Sequence, residues 1–415
     1  MSIKQDIEKL IASNLKTYQD NSDRFIADYN RELELTKEYN GRQLLELLQN
    51  ADDAGSSEVL IVWDKGNSKL SISNKGEPFE TGGIKSLMLA NLSTKTKISY
   101  IGNKGLGFRS ILNWSEQVVI YSNGCQISFS EKIAADVFDN QLNLSAEAKQ
   151  QIRSERNLAE QTIPFPVLAI PEISEASNTD KWTTTIAISY RNEFEADIEH
   201  QLAELREEIL LFLNNIQKIT IQIGAERTEL ASNKVPGERF ELVSIKDKKW
   251  KVFSKENILP AEYQDISKNE QQSYNLKVAF QEDLTDNYRK LFNFFPTQLS
   301  ISLPCIIHGT FELNSSRNHL NESKKNEFIL KELVQLLKEC AKYLTEQQVD
   351  WSAYKLISPA SKASDSKLIE TFYNELESLK QTEKIYPCIN NAYNAVDDTI
   401  YYNDEFNGFF QEHFA

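Results

Sequence analysis

Residues 39–54, YNGRQLLELLQNADDA, carry the most informative pattern of apolar and polar positions in the chain. At 3.6 residues per turn, Glu46, Asn50 and Asp53 fall at i, i+4 and i+7 and share one face of a helix. Such a stripe on a buried helix is costly to desolvate unless something pairs with it, and a nucleotide with its metal ion is one such partner. The alternative is an ordinary amphipathic helix whose polar face is solvated. The apolar residues that cover much of the remaining surface are Leu44, Leu45, Leu48 and Ala51.

The same analysis predicts helices and strands along the rest of the chain. Apolar residues at helical intervals predict one or two helices before residue 40, and short or alternating apolar runs bounded by turn residues predict strands. The predicted strands and hairpins lie at 59–64, 69–74, 118–121, 126–129, 182–189, 218–223, 240–253, 276–280 and 299–311. Further helices are predicted at 83–90, 134–159, 198–214 and 330–344, and a strand-like piece at 385–402.

The length of 415 residues predicts two or three domains, each large enough for a core. We expect a first α/β domain with an N-terminal helical arm at 1–195 and a second α/β domain at 196–325. A helical segment with a terminal strand-like element is expected at 326–415. The chain ends on an aromatic stretch without a polar tail, which predicts a fragment of a longer protein.

Charge and composition exclude several classes of function. The formal net charge of −15 argues against broad nonspecific binding of nucleic acid. The four cysteines form no CxxC pair and the four histidines no HExxH motif, so neither a disulfide framework nor a zinc site is predicted. The longest apolar runs are far shorter than the roughly 20 residues of a membrane helix, and the N-terminus lacks a signal-peptide core. A cytoplasmic location is therefore expected.

Residues 101–111, IGNKGLGFRSI, contain three glycines in the order G-x-x-G-x-G. These are Gly102, Gly105 and Gly107, which allow the backbone to approach an anion closely, and the residues after them are predicted to begin a helix. The spacing differs from that of the dinucleotide-binding fingerprint. The pattern alone is weak support for a phosphate site.

Three motifs occur in a fixed order: ELLQNADDA, then SNKGEPF, then IGNKGLGF. Together they resemble the GHKL ATPase superfamily, which includes DNA gyrase, the large heat-shock chaperones and histidine kinases. Within it, residues 39–54 and 100–111 are similar to the sacsin and NO VEIN branch. Residues 291–320 are similar to the segment downstream of the ATPase domain in sacsin-like repeats.

This resemblance implies a Bergerat-type α/β sandwich, followed by a transducer-like α/β middle domain and a helical C-terminal part. It implies magnesium-dependent ATP binding, with slow hydrolysis that closes and reopens a lid or dimer. The implied ligands are ATP and Mg2+.

The resemblance assigns roles to the polar stripe and to the turn after the second strand. Glu46 corresponds to the general base that orients and deprotonates the attacking water, and Asn50 to the residue that binds magnesium. Asp53 corresponds to a residue near the sugar and the base edge. Asn74 stands before Gly76 where most members carry an aspartate that accepts a hydrogen bond from the adenine amino group. An asparagine can also accept there through its carbonyl.

Further roles are implied for the glycine loop and for two distant residues. Gly102, Gly105 and Gly107 correspond to the residues that wrap the phosphates, with Phe108 at the start of the following helix. Lys104 either pairs with a phosphate or is solvated. Thr184 is similar to the threonine that bonds the adenine or an adjacent water, with Thr183 and Thr185 as competitors. Arg317 is a candidate for a catalytic cation near the γ-phosphate, or else a surface arginine.

The resemblance leaves three outputs open. The first is a chaperone-like clamp on a protein client. The second is the ATPase subunit of a larger complex, in bacterial defence or nucleic-acid processing, which would contact nucleic acid only through a partner subunit. The third is an interaction module that binds nucleotide with little or no hydrolysis. A homodimer or larger complex is expected, and no membrane association.

Overall fold

The chain forms two compact units, Met1–Ala231 and Ser232–Ala415. The computed structural model describes residues 3–38, 41–89, 107–154, 163–176, 181–264, 271–284, 288–314, 319–361, 366–388 and 390–399. Both units combine helices with a β-sheet, so the predicted mixed α/β class is confirmed.

The first unit contains an eight-stranded sheet of order β5-β4-β3-β6-β2-β1-β7-β8. Its strands are β1 (Glu58–Asp64), β2 (Lys69–Asn74), β3 (Ser115–Ser122), β4 (Cys125–Ser130), β5 (Glu172–Glu175), β6 (Thr184–Tyr190), β7 (Lys218–Ile223) and β8 (Glu226–Ala231). Its α-helices are α1 (Ile3–Asp20), α2 (Ser22–Glu38), α3 (Gln43–Asp53), α4 (Thr81–Met88), α5 (Glu131–Asp136), α6 (Ala146–Ser154) and α7 (Glu195–Ala203). All neighbouring strands run antiparallel except β1 and β7.

Alternation along the strands buries one face of the sheet. In β1, Val59, Ile61 and Trp63 are buried while the residues between them are partly exposed, as the period of two requires. Trp63 donates its indole N–H to the Tyr190 hydroxyl at 3.1 Å, so its polar atom is satisfied inside the core. The Asn-Gly turn predicted between β3 and β4 is confirmed, with Asn123 at a φ of 55°.

The first unit extends beyond the predicted boundary at residue 195. Strand β7 pairs in parallel with β1, from Glu58 opposite Lys218 onward, and β8 pairs with β7. Two strands assigned from the sequence to a second domain therefore complete the first sheet.

Two predicted helices are shorter than expected. The stretch 198–214 forms α7, then breaks at 204–206, and then forms a 3-10 helix at Glu207–Leu211. All five residues of the apolar run Ile209 to Leu213 are buried. The stretch 134–159 contains α5, a π-helical turn at Val137–Gln141 and α6. Likewise, the residues after the glycine loop form a 3-10 helix, Gly107–Asn113.

The second unit contains a seven-stranded sheet of order β14-β13-β15-β12-β11-β10-β9. Its strands are β9 (Asn233–Val235), β10 (Glu241–Ile245), β11 (Lys248–Ile258), β12 (Ser273–Phe280), β13 (Tyr288–Asn293), β14 (Phe295–Leu303) and β15 (Ile306–Gly309). Helices α8 (Lys324–Thr345), α9 (Ser352–Leu356) and α10 (Lys367–Thr382) follow, with a small ladder of β16 (Tyr386–Pro387) and β17 (Tyr393–Asn394).

Helix α8 packs against β11 and β12, and it shares one continuous apolar core with α10. The predicted helical segment 326–415 is therefore joined to the strands before it in one unit. Helix α8 begins at a Ser323 cap, whose hydroxyl accepts the Asn326 N–H at 3.2 Å. No α-helix among the described residues is long and apolar enough to cross a membrane.

His308 is fully buried in the second unit, and its Nδ1 accepts the backbone N–H of Phe294 at 2.9 Å. Burial and the nearby Lys277 hold the pKa of His308 well below its usual value. The imidazole is therefore neutral in the fold, and a proton on Nδ1 would face the Phe294 N–H.

We expect acid to destabilise the second unit through His308. Because the folded pKa is lowered, the stability is present above the unfolded pKa near 6.5 and is lost as pH falls below it. Chemical denaturation of wild type should lose about 1 kcal/mol more between pH 7.5 and 5.5 than His308→Asn, which keeps an acceptor but cannot titrate. The exposed His319→Asn is the control and should keep the wild-type slope. Equal slopes for His308→Asn and wild type would contradict this assignment.

Candidate functional site

Helix α3 presents two residues of the polar stripe, Asn50 and Asp53, to a cavity. Glu46 is buried, at 5% exposure, while Asn50 and Asp53 are half-buried. The first turn of α3 is capped from a distance by Gln201 on α7, whose side-chain oxygen accepts the Leu44 N–H at 3.1 Å. No local sequence signal predicts this cap.

The ends of three strands meet beside α3. In the sheet register, Thr184 of β6 stands opposite Asn74 of β2 on one side and opposite Ser122 of β3 on the other. The hydroxyl oxygens of Thr184 and Ser122 lie 2.8 Å apart, and Ser122 also accepts the Phe79 N–H at 3.0 Å. This network fixes the turn after β2 against the end of the sheet.

Thr185 points to the opposite face of the sheet, where its hydroxyl lies 2.8 Å from that of Ser73. Of the three candidate threonines, Thr184 is the one that lines the cavity. Successive side chains of a strand point to opposite faces of the sheet, so Thr184 faces the cavity and Thr185 does not.

Asn74 is buried, and its Oδ1 accepts the Gly76 N–H at 3.1 Å. At Gly76 the backbone passes so close to α3 that a Cβ atom would lie 2.5 Å from the Ala54 carbonyl oxygen. The same carbonyl accepts the Glu77 N–H at 2.7 Å. Gly76 therefore serves close backbone packing, a requirement separate from any ligand.

A cavity of about 210 Å³ lies between α3, the strand ends and α4. It brings together Asn50, Asp53, Asn74, Phe108 and Thr184, five of the residues selected from the sequence. Glu46 and Gly76 do not line it. The other lining residues are Leu47, Ala51, Ala54, Ile72, Glu77, Pro78, Phe79, Glu80, Gly83, Ser86, Leu87 and Ile186.

The remaining candidates cannot be placed in the cavity. Four of them lie outside the described residues: Gly102, Lys104, Gly105 and Arg317. Gly107 is the first residue of the 3-10 helix Gly107–Asn113. Their predicted roles stay predictions.

The cavity is apolar on its walls and acidic at its rim. Leu47, Ile72 and Ile186 supply flat aliphatic surface, while Asp53 and Glu77 bring carboxylates. None of its described lining side chains is basic. Such a site favours a cation or a ligand that carries one.

A larger cavity of about 400 Å³ lies at the other end of β3 and β6, beneath α2. Its polar lining includes Tyr29, Glu32, Glu131 and Arg191, and Arg191 is paired with Glu131 at 2.7 Å. It contains none of the residues selected from the sequence, so the smaller cavity is the candidate site.

Asp52, which the sequence analysis did not select, fixes the end of α3 through backbone hydrogen bonds. Its carboxylate accepts the backbone N–H groups of Asn214 at 3.0 Å and of Asn215 and Ile216 at 2.8 Å each. Burial raises the pKa of Asp52, and the three backbone donors act in the opposite direction. The residue ties the last turn of α3 to the segment that leads into β7.

The comparisons with known proteins concern this same region. Residues 29–235 match the model of the sacsin domain. This sacsin-like range contains every residue that lines the cavity. Protein NO VEIN of Arabidopsis thaliana is 25% identical over 308 residues, which is 70% of this chain and 11% of that protein. The chain therefore spans about a tenth of that relative's length. Both matches support the sacsin and NO VEIN-like relationship.

Among solved structures, the N-terminal domain of a DNA repair protein aligns with a TM-score of 0.37 and 10% sequence identity. The alignment covers 74% of this chain and 94% of that chain. A score this low supports no conclusion about fold or function.

We expect Asp52→Asn to destabilise the sacsin-like region by about 2 kcal/mol, because its amide NH2 would face at least one backbone N–H. Thermal and urea unfolding measure the loss. The neighbouring Asp53→Asn is the matched control and should change stability by less than about 0.5 kcal/mol. A change at position 52 no larger than that at position 53 would show that the carboxylate is dispensable.

Proposed function

We propose that the chain binds ATP with Mg2+ in the cavity beside α3, hydrolyses it slowly, and that its first unit is a Bergerat-type sandwich. One observation carries the proposal: Asn50, Asp53, Asn74 and Thr184 come from three separate segments and converge on one cavity. The GHKL resemblance implied these same residues as nucleotide ligands.

The Asn74 end of the cavity suits a purine base. Its amide oxygen uses one lone pair for the Gly76 N–H and keeps a second for an exocyclic amino group. Its NH2 can donate to a ring nitrogen, and the aliphatic side chains of Ile72 and Ile186 flank the slot. We also propose that the second unit is a transducer-like middle domain, as the same resemblance implies.

The residues present fit a magnesium ion. Asn50 offers a hard amide oxygen in the cavity, and one or two protein oxygens with phosphates and waters complete a magnesium shell. When bound, the ion neutralises phosphate charge and polarises the phosphoryl group. The acidic rim formed by Asp53, Glu77 and Glu80 makes a polyphosphate without such a cation unfavourable there.

Glu46 lies one helical turn before Asn50 on the same face of α3. As general base it would take a proton from water, and its burial favours a defined side-chain position. Because Glu46 does not line the cavity, a second candidate function is nucleotide binding with little or no hydrolysis.

Slow turnover suits a conformational cycle, either in a chaperone-like clamp on a protein client or in the ATPase subunit of a larger complex. Dimerisation or a partner subunit would supply the surface that the cycle moves. The similarity to NO VEIN names neither partner nor client.

We expect Thr184→Val to weaken Mg2+-ATP binding about five- to tenfold in calorimetric titration, because one polar contact near the base is lost. Thr185→Val is the matched control. It loses an equivalent hydroxyl pair on the same strand but on the opposite face, and should bind as wild type does. Equal weakening by both variants would indicate a general effect on the sheet.

We expect Glu46→Ala to keep ATP binding and to reduce phosphate release by about 10²- to 10⁴-fold, the usual contribution of a general base. Asn50→Ala should instead lose the magnesium-dependent part of binding. Equal release from wild type and Glu46→Ala would reject Glu46 as the base. Binding by wild type without any phosphate release would establish the non-hydrolysing alternative.

A further inference from the structure

Arg109 lies in the 3-10 helix Gly107–Asn113 and is almost completely buried, at 1% exposure. Arginine is rarely buried to this degree unless it is paired. Its side chain lies outside the cavity lining, although Phe108 immediately before it lines the cavity. The buried guanidinium is therefore next to the site but not part of it.

The guanidinium makes one short hydrogen bond, and two of its nitrogens find no acceptor among the described residues. Its Nη2 donates to the Leu87 carbonyl oxygen at 2.6 Å, at the end of α4. Among the residues that the structure describes, no acceptor satisfies its Nε or Nη1. Burial lowers the pKa of Arg109, and the Glu32 carboxylate opposes that change. Each buried unsatisfied donor costs about 1–3 kcal/mol, so stability alone does not account for an arginine here.

Helix α2 holds the backbone at Arg109. The Thr36 hydroxyl lies 2.8 Å from the Glu32 carbonyl oxygen and 3.3 Å from the Arg109 carbonyl oxygen. The Glu32 carboxylate accepts the N–H groups of Val167 at 2.6 Å and Leu168 at 3.1 Å, which fixes α2 in turn. The contacts form a chain from α2 through Arg109 to the end of α4.

We propose that Arg109 is a positioning residue for nucleotide binding, which clamps two segments of the cavity wall together and connects them to α2. Leu87 and Phe108 both line the cavity, yet they are 21 positions apart in sequence. Arg109 donates a hydrogen bond to the Leu87 carbonyl and directly follows Phe108 in the sequence. The inference rests on the proposed nucleotide site.

The test compares Mg2+-ATP titrations and steady-state phosphate release for Arg109→Met, Arg109→Lys and wild type. Arg109→Met should raise Kd and KM about tenfold while kcat at saturating ATP stays within about twofold, because the wall and not the chemistry is disturbed. Arg109→Lys should restore part of the affinity, since it keeps the charge and one donor. The control is Arg153→Met, which removes a partly buried arginine that is paired with Asp139 and does not line the cavity. This variant should bind as wild type does.

Hydrogen exchange without nucleotide separates this inference from the proposed function. The Leu89 N–H, bonded to Lys85 at 3.0 Å, and the Trp114 N–H, bonded to Ile111 at 3.0 Å, should exchange faster in Arg109→Met than in Arg153→Met. Absence of ATP binding in wild type would defeat the proposed function, and exchange would still decide whether Arg109 clamps the wall. Wild-type affinity and exchange in Arg109→Met would overturn the inference. If Arg109→Met does not fold, Thr36→Val replaces it. Thr36→Val should lose about threefold in affinity for Mg2+-ATP. Unchanged affinity and unchanged exchange in that variant would overturn the inference.

Discussion

The C-terminal turn of α3 is held from two sides, and the candidate site depends on both attachments. On one side the Asp52 carboxylate collects three backbone N–H groups from the segment before β7. On the other, the Ala54 carbonyl accepts the Glu77 N–H where Gly76 permits close approach. Because the first attachment leads to β7 and the second to the turn after β2, the polar stripe of α3 has one position relative to both strands. Any ligand of Asn50 meets a site arranged in advance.

The elements that create the cavity were largely predictable, because each depends on a local pattern. Helix α3 follows from its apolar spacing, β2 and β6 from alternation, and the turn after β2 from its glycine. The close approach of Gly76 to Ala54 is visible only in the structure. Thr184 could be separated from Thr185 only with the register against Asn74, which is a property of the paired strands. The predicted convergence on a nucleotide also depended on the family resemblance, since the stripe alone is equally consistent with a solvated face.

The long-range contacts could not be predicted from local patterns. The parallel pairing of β7 with β1 joins residues about 160 positions apart, so the sequence boundary near 195 separated strands of one sheet. Asp52 was missed because its partners are backbone groups, which carry no side-chain signal. The run at 209–213 was expected to extend a helix, but a segment that is apolar on every side can be buried equally well in a tight 3-10 turn.

Charge sets the conditions under which such a cavity can hold a polyphosphate. The chain carries a formal net charge of −15, and the cavity rim adds Asp53, Glu77 and Glu80 close to where a ligand would lie. Repulsion between these carboxylates and a polyphosphate would oppose binding, although solvent screens Glu77 and Glu80, which are exposed. A divalent cation beside Asn50 would reduce that repulsion. Under the proposed function, nucleotide affinity would therefore depend on the cation, and α2, whose Thr36 contacts the Arg109 carbonyl, would contribute to binding although α2 does not line this cavity.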